Sequence, residues 1–183
     1  VVTLPATAAT GVIVATGTPG SVISAASLLQ SSSGQSYSVE DDVTVSGKTV
    51  NIASLTSVGL VATAVLASPQ SLFSGMSVTI AGAVESPYNG AFPITVTGES
   101  SFTFVLPSSA ASPATGTPSA TWTSGVMSVA SVDFGQNQDL SANEKVNFAT
   151  PIVGVNSAAY VDFSTVGGGT DQESLEDLRR RLL

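Results

Sequence analysis

The sequence predicts a mainly β protein, with antiparallel, sandwich-like domains and one short helix at the C-terminal end. Composition is the first reason. Of 183 residues, 29 are Ser, 20 Thr, 24 Val and 22 Ala, more than half of the chain. Val and Thr are stiff at χ1 and fit a pleated surface. Punctuation is the second: 17 Gly and nine Pro, with many Asn and Asp, separate short runs rich in Val, Ile and Thr, the pattern of strands joined by turns. Alternation is the third. In Met76-Ser77-Val78-Thr79-Ile80 the odd positions are polar and the even ones apolar, and Ser101-Phe102-Thr103-Phe104-Val105 repeats the pattern with aromatic residues inward. Such strands have one wet face, as antiparallel sheets allow.

In chain order, the strands expected are Gly11–Thr16, Ser27–Gln30, Ser36–Val39, Thr49–Ala53 and Gly59–Leu66. Then come Ser77–Ala81, Phe92–Thr97, Ser101–Leu106, Ala120–Thr123, Val126–Val132, Lys145–Phe148 and Ala158–Phe163. After them Gly167-Gly168-Gly169 is a break. Thr170-Asp171-Gln172-Glu173 then reads as a capping box, with Thr170 as N-cap and Glu173 at N3. Acids fill the first turn and Arg179–Arg181 the last, which suits the helix dipole. Leu175, Leu178 and Leu182 fall at i, i+3 and i+7 and share a face. A helix this short needs a partner surface.

Texture divides the chain. Residues 55–124 hold two acids, no bases, six of the nine Pro and four of the seven Phe. Residues 108–118 are only Ser, Ala, Pro, Thr and Gly, a loop composition. The expected organisation is a discontinuous parent β-domain from 1–54 and 126–166. A small β-module is inserted at 55–125, and 167–183 forms a glycine hinge and the start of a helix.

Charge and missing residue types exclude most chemistries. No Cys and no His occur, which removes the thiol nucleophile, the disulfide framework, the Cys/His zinc site and the imidazole base. Residues 1–178 carry all 13 carboxylates against Lys48 and Lys145, so no basic face exists for nucleic acid or anionic membrane. Residues 49–84 are uncharged, yet Ser, Thr, Asn, Gly and Pro69 break every apolar run well short of the ~18 residues of a membrane span. Val1-Val2-Thr3-Leu4 has neither a basic n-region nor a long apolar segment, so no signal peptide is expected. A chain opening on Val and stopping at Arg-Arg-Arg-Leu-Leu reads as a fragment of a longer protein.

Several sharper motifs give way to plain ones. Asp133-Phe134-Gly135-Gln136-Asn137-Gln138-Asp139, with Glu144 at the twelfth position, imitates a calcium loop. Gly135 and Gln138 occupy the wrong positions, and the flanks read as strands, so a solvated turn is expected. Glu40-Asp41-Asp42 is likewise a turn, because consecutive strand residues point to opposite faces. Gly167-Gly168-Gly169 lacks a following Gly-Lys-Ser/Thr, and the acids beyond it repel a phosphate. No Gly-x-Ser-x-Gly or Ser-x-x-Lys is present. One Trp (Trp122) and three Tyr argue against a sugar-stacking cleft. No enzyme, metal or cofactor is expected.

The flanks carry a family resemblance. Gly17-Thr18-Pro19-Gly20-Ser21-Val22-Ile23-Ser24-Ala25, then Leu28-Leu29-Gln30 and Gly34-Gln35-Ser36-Tyr37, resemble the central region of the baseplate J-like proteins of contractile-tailed phages. Phe134-Gly135-Gln136-Asn137 and Ala149-Thr150-Pro151-Ile152-Val153-Gly154-Val155 look like that family's Gly-x-x-Asn and Ser-Pro-Ile-x-Gly-Val elements. Gly167-Gly168-Gly169-Thr170-Asp171-Gln172-Glu173-Ser174 with Leu178-Arg179-Arg180-Arg181-Leu182 is similar to its Gly-Gly-x-Asp-x-Glu-Ser…Leu-Arg-x-Arg signature. The resemblance spans roughly residues 10–54 and 126–183, with Ser24 standing where Pro is usual. The segment with Gly75–Gly82, Tyr88–Phe92 and Phe102–Phe104 looks like a separate module of phage tail proteins.

The resemblance implies a structural wedge component of a phage or prophage baseplate, located in the virion and in host cytoplasm during assembly. Its implied partners are other wedge and hub proteins and further copies in the assembled ring, with no nucleic acid and no membrane insertion. Leu175, Leu178, Arg179 and Leu182 are the expected partner-binding residues. The competing expectation is a glycan- or receptor-binding adhesion module of a tail fibre or bacterial surface protein, with the insert as reader. The Gly-Gly-Gly-Thr-Asp start of the helix favours the baseplate.

Overall fold

The computed structural model describes residues 2–183; Val1, first residue of the expected 1–54 segment, lies outside the described residues. Apolar–polar alternation with turns between gives β1 (Ala8–Gly17), β2 (Val22–Ile23), β3 (Leu28–Ser31), β4 (Ser36–Val39), β5 (Val43–Thr44), β6 (Ser46–Val58) and β7 (Val61–Leu66). There follow β8 (Ser77–Ala83), β9 (Gly90–Pro93), β10 (Thr95–Gly98), β11 (Ser101–Val105), β12 (Gly116–Phe134), β13 (Lys145–Phe148), β14 (Val155–Gly167) and helix α1 (Leu175–Leu182). The described strand pairs are all antiparallel. The antiparallel β fold with a short C-terminal helix is therefore what the sequence leads one to expect. Its sheets curl into barrels rather than lying as facing layers.

The first barrel is a ring in which β1 pairs with β14, β14 with β13, β13 with β3, β3 with β4, β4 with β12 and β12 again with β1. Alternate residues fill it: Ile13, Leu29, Tyr37, Met127, Val146 and Val161 are fully buried and belong to one cluster. Ile23 of β2, in the β2–β5 ribbon, and Val45, the residue after β5, join the same cluster. Closure leaves no wet inner face, so most polar members of the strands turn outward, while Ser31, Ser131 and Asp162 stay buried.

The second barrel uses the other half of β12. Its residues 119–124 pair with β6, which continues into β7, β11 and β10. On its opposite side β12 pairs with β8, and β8 with β9. The ring closes at Ile94, between β9 and β10: its N–H donates to the Met76 carbonyl at 3.0 Å and its carbonyl accepts from the Gly75 N–H at 2.8 Å. Ala62, Ala64, Val78, Phe102, Ala120 and Trp122 face its interior, and Phe92 and Phe104 meet there with ring centroids 4.7 Å apart.

Several expected boundaries move. Ala120–Thr123 and Val126–Val132 form one 19-residue strand, because Gly125 lies in the wall under the side chains of Val43, Ile23 and Val45 instead of turning the chain. Pairing places residues 46–54 with the second barrel, so that ring starts at Ser46 and not at 55. Phe92–Thr97 is divided at Ile94, where the chain passes from one neighbour to the next. The expected end of the last strand at Phe163 is a bulge: the register against β1 shifts between Gly11 and Ile13, Asp162 caps Ser164, and pairing resumes to Gly167.

The helix starts four residues later than the capping box suggests. Thr170 is taken by reciprocal backbone bonds with Thr7, so it cannot cap. Ser174 is the N-cap and its hydroxyl accepts from the Asp177 N–H. Glu176 and Asp177 occupy the first turn and Arg179–Arg181 the last. Among the described residues no helix is long and apolar enough to cross a membrane.

Candidate interaction site

Helix α1 has no buried residue. Leu175 is 72% and Leu182 56% exposed, and Leu178 is half-buried. The stripe expected from the i, i+3, i+7 spacing is therefore on one helix and faces solvent. Arg179 pairs with Glu176 at 3.6 Å and Arg180 with Asp177 at 3.8 Å. These exposed one-turn pairs hold little free energy, so Arg179 remains available to a partner.

What fixes the helix to the body was not visible in the sequence. Arg181 makes a two-pronged contact with Glu173, Nε to Oε1 and Nη2 to Oε2, both at 2.9 Å. The same guanidinium donates to the Val2 carbonyl, and Glu173 accepts from the Leu4 N–H at 3.0 Å. Arg181 and the Leu4 N–H hold the Glu173 carboxyl below the usual carboxylate range, and the ion pair holds Arg181 above its ordinary value. Glu173, placed at N3 of a helix by sequence reasoning, is instead the clasp between the N-terminal segment and α1.

The motif segments behind the family resemblance meet in two places. At one, the Thr18 N–H donates to the Gly154 carbonyl at 2.7 Å, and a side chain on Gly17 would collide with that carbonyl. Residues 17–20 thus dock on residues 151–155. At the other, Gly169 lies against the Gly135 carbonyl with no space for a Cβ, and its N–H donates to Asp139 at 2.9 Å. The Gln136 N–H donates to Asp171. Partners separated by 30 or more positions in sequence are neighbours, and glycine is needed because backbone meets backbone.

The residues weighed as calcium ligands serve internal hydrogen bonds. Asp139 accepts from Gly169, Glu144 from the Ser141 N–H at 2.9 Å, and Asn137 from Gln138. Asp42, in the acidic run, accepts from the Ala25 N–H at 2.7 Å. Among the described residues no group of three Asp or Glu is arranged to hold a metal. Tyr37 sits at this end of the first barrel, fully buried, and donates to the Gln138 carbonyl at 2.5 Å. Burial, with the Glu144 and Asp139 carboxylates nearby, pushes its phenol up to about 12.

Between the barrels lies a cleft of about 660 Å³ to which Phe73, Trp122 and Tyr160 all contribute. Tyr160 projects from the outer wall of the first barrel, its neighbours Ala159 and Val161 pointing inward. The Ser74 N–H donates to Asn143 at 2.7 Å beside this contact. The few aromatic residues, which argued against a stacking cleft when counted, are gathered by the fold. No pattern in the chain announces it, because residues 73, 122 and 160 belong to three separate segments. No protein-family model matches the chain, and no curated protein matches it.

Proposed function

We propose that the chain is a structural component of a contractile-tail baseplate wedge of a phage or prophage, acting in baseplate assembly and in transmitting the contraction trigger. One observation supports this reading above others. The glycine-bearing segments that resemble the baseplate J-like family lock onto each other at the Gly17–Gly154 and Gly135–Gly169 contacts, and the second of these leads directly to an exposed helix. The motifs are then the joints of a rigid frame. A frame with an unpartnered Leu175/Leu178/Leu182 stripe suits a subunit that is built into a ring beside wedge and hub neighbours and other copies of itself.

Immunogold electron microscopy of intact particles, with antibody to this chain, tests the proposal. Gold at the end of the tail is the expected result. Gold along fibres, or on cells without particles, would overturn it in favour of an adhesion module.

A further inference from the structure

The cleft between the barrels has a chemistry of its own. Its thirteen lining residues include no Asp, Glu, Lys or Arg, although the chain carries 13 carboxylates. One wall is a row of threonines. Thr121 and Thr79, register partners on β12 and β8, line the cleft, and Thr49 of β6, outside the lining, holds the Thr121 hydroxyl at 2.9 Å. Thr121 and Thr79 stand on adjacent strands, so this wall offers hydroxyls side by side. Across the gap, Asn156 donates to the Thr16 hydroxyl at 2.7 Å, which fixes its amide at the opposite wall. Tyr160, half-buried and stacked on Phe73, stands beside these groups with its ring orientation held.

We propose that this cleft binds an uncharged polysaccharide, its hydroxyls on the Thr79/Thr121 row and on Asn156, with a ring against Tyr160. Each alternative class lacks a needed group. Anionic ligands, including nucleotides and acidic glycans, find no cation in the lining. A purely apolar ligand would strip water from the exposed Thr79, Thr121 and Asn156 side chains at a desolvation cost. A saccharide offers both a dense set of hydrogen-bonding groups and an apolar C–H face for an aromatic ring, and junctions between folded units commonly hold such ligands.

Trp122, the only tryptophan of the chain, is buried in the second barrel beside the cleft-lining Thr121 and Thr123, so occupancy is read by isothermal titration calorimetry. The full chain is titrated with maltohexaose, cellohexaose, chitohexaose and a linear galactan, and in parallel with hyaluronan and polysialic acid. A saturable heat with at least one neutral probe and none with the acidic ones is expected. Thr79→Val and Asn156→Ala alter exposed side chains and should each weaken binding about tenfold, the loss of one well-made hydrogen bond, with unchanged circular dichroism. No saturable heat with any neutral probe, binding confined to the acidic glycans, or equal affinity in both variants would overturn the proposal. These outcomes are independent of the immunogold result: a tail-end location with no sugar binding removes only this inference, and sugar binding with gold on fibres removes only the baseplate reading.

Discussion

Phe73 and Tyr160 stack with ring centroids 4.5 Å apart and planes 16° from parallel. Phe73 belongs to the core of the second barrel, whereas Tyr160 stands on the outer wall of the first. Val14, the register partner of Tyr160 on β1, joins the same cluster. Truncating Tyr160 to Ala therefore removes a contact between barrels without opening the first barrel's interior. The expected loss is about 2–4 kcal/mol, and thermal unfolding should broaden or divide into two steps. Tyr160→Phe, which keeps the ring, should stay within about 0.5 kcal/mol of the parent. Calorimetry on both variants checks the pair.

Close backbone approach makes a second prediction. Gly17→Ala and Gly169→Ala each place a methyl against a carbonyl oxygen, and should cost about 1–3 kcal/mol as overpacking. Gly47, in a strand with nothing within 4 Å of its would-be Cβ, is the control. Gly47→Ala should be neutral or slightly stabilising through the unfolded chain. Urea denaturation of the three variants would show the ordering, and equal midpoints would contradict it.

Acid should release the N-terminal clasp before it affects the barrels. The Glu173 carboxyl lies below its ordinary range in the folded chain. Its contribution is therefore complete above the unfolded carboxylate value of about 4.3 and is lost as pH falls through the lower folded value. Amide exchange at Leu4 should accelerate over that acid window. Glu173→Gln should show fast exchange already at neutral pH, and exchange that does not respond to either change would remove the clasp.

Alkali addresses the first barrel instead. Tyr37 titrates normally at 10.0 when unfolded and at about 12 in the fold. Its stabilising preference for the protonated form is whole below pH 10 and disappears between the two values as pH rises, a loss on the order of 2–3 kcal/mol. Tyr37→Phe should lose about 1–2 kcal/mol at neutral pH, because the Gln138 carbonyl is left without its donor. The variant's stability should also be flatter across the alkaline range. Chemical denaturation at a series of pH values provides the measurement.

The apolar stripe of α1 predicts a separation of folding from assembly. Leu175 and Leu178 contribute nothing to a core, so the double variant Leu175→Asp, Leu178→Asp should melt within about 0.5 kcal/mol of the parent. Particles carrying it should fail to assemble a baseplate. Assembly of normal particles would show that this face docks nothing essential.

The local order of this chain was readable because its strands are short and their faces are unequal. Ser36–Val39 and Lys145–Phe148 begin and end where turn residues place them, and Val78 and Ile80 point inward as their alternation requires. Ring closure was not readable. It depends on β12 pairing with different neighbours along its two halves, and a two-fold alternation is the same in a sandwich as in a barrel. The same limit applies to the helix start. Thr170 has the right spacing for a cap, but pairing with Thr7, 163 positions away, takes it first. The cleft was hidden for a related reason: Thr79 and Thr121 look like ordinary polar strand positions until register aligns them.

Closure of the two rings also bears on how such a chain survives at high local density. Residues 49–84 are uncharged and rich in Val, Thr and Ser, a composition that stacks readily into cross-β ladders when a strand's backbone is left open. Here most N–H and C=O rows of the strands are spent on one another around each ring, and only the short β2, β5, β9 and β10 pair on one side alone, so a neighbouring molecule finds little row to template on. Ring closure and resistance to fibril growth thereby come from the same geometry.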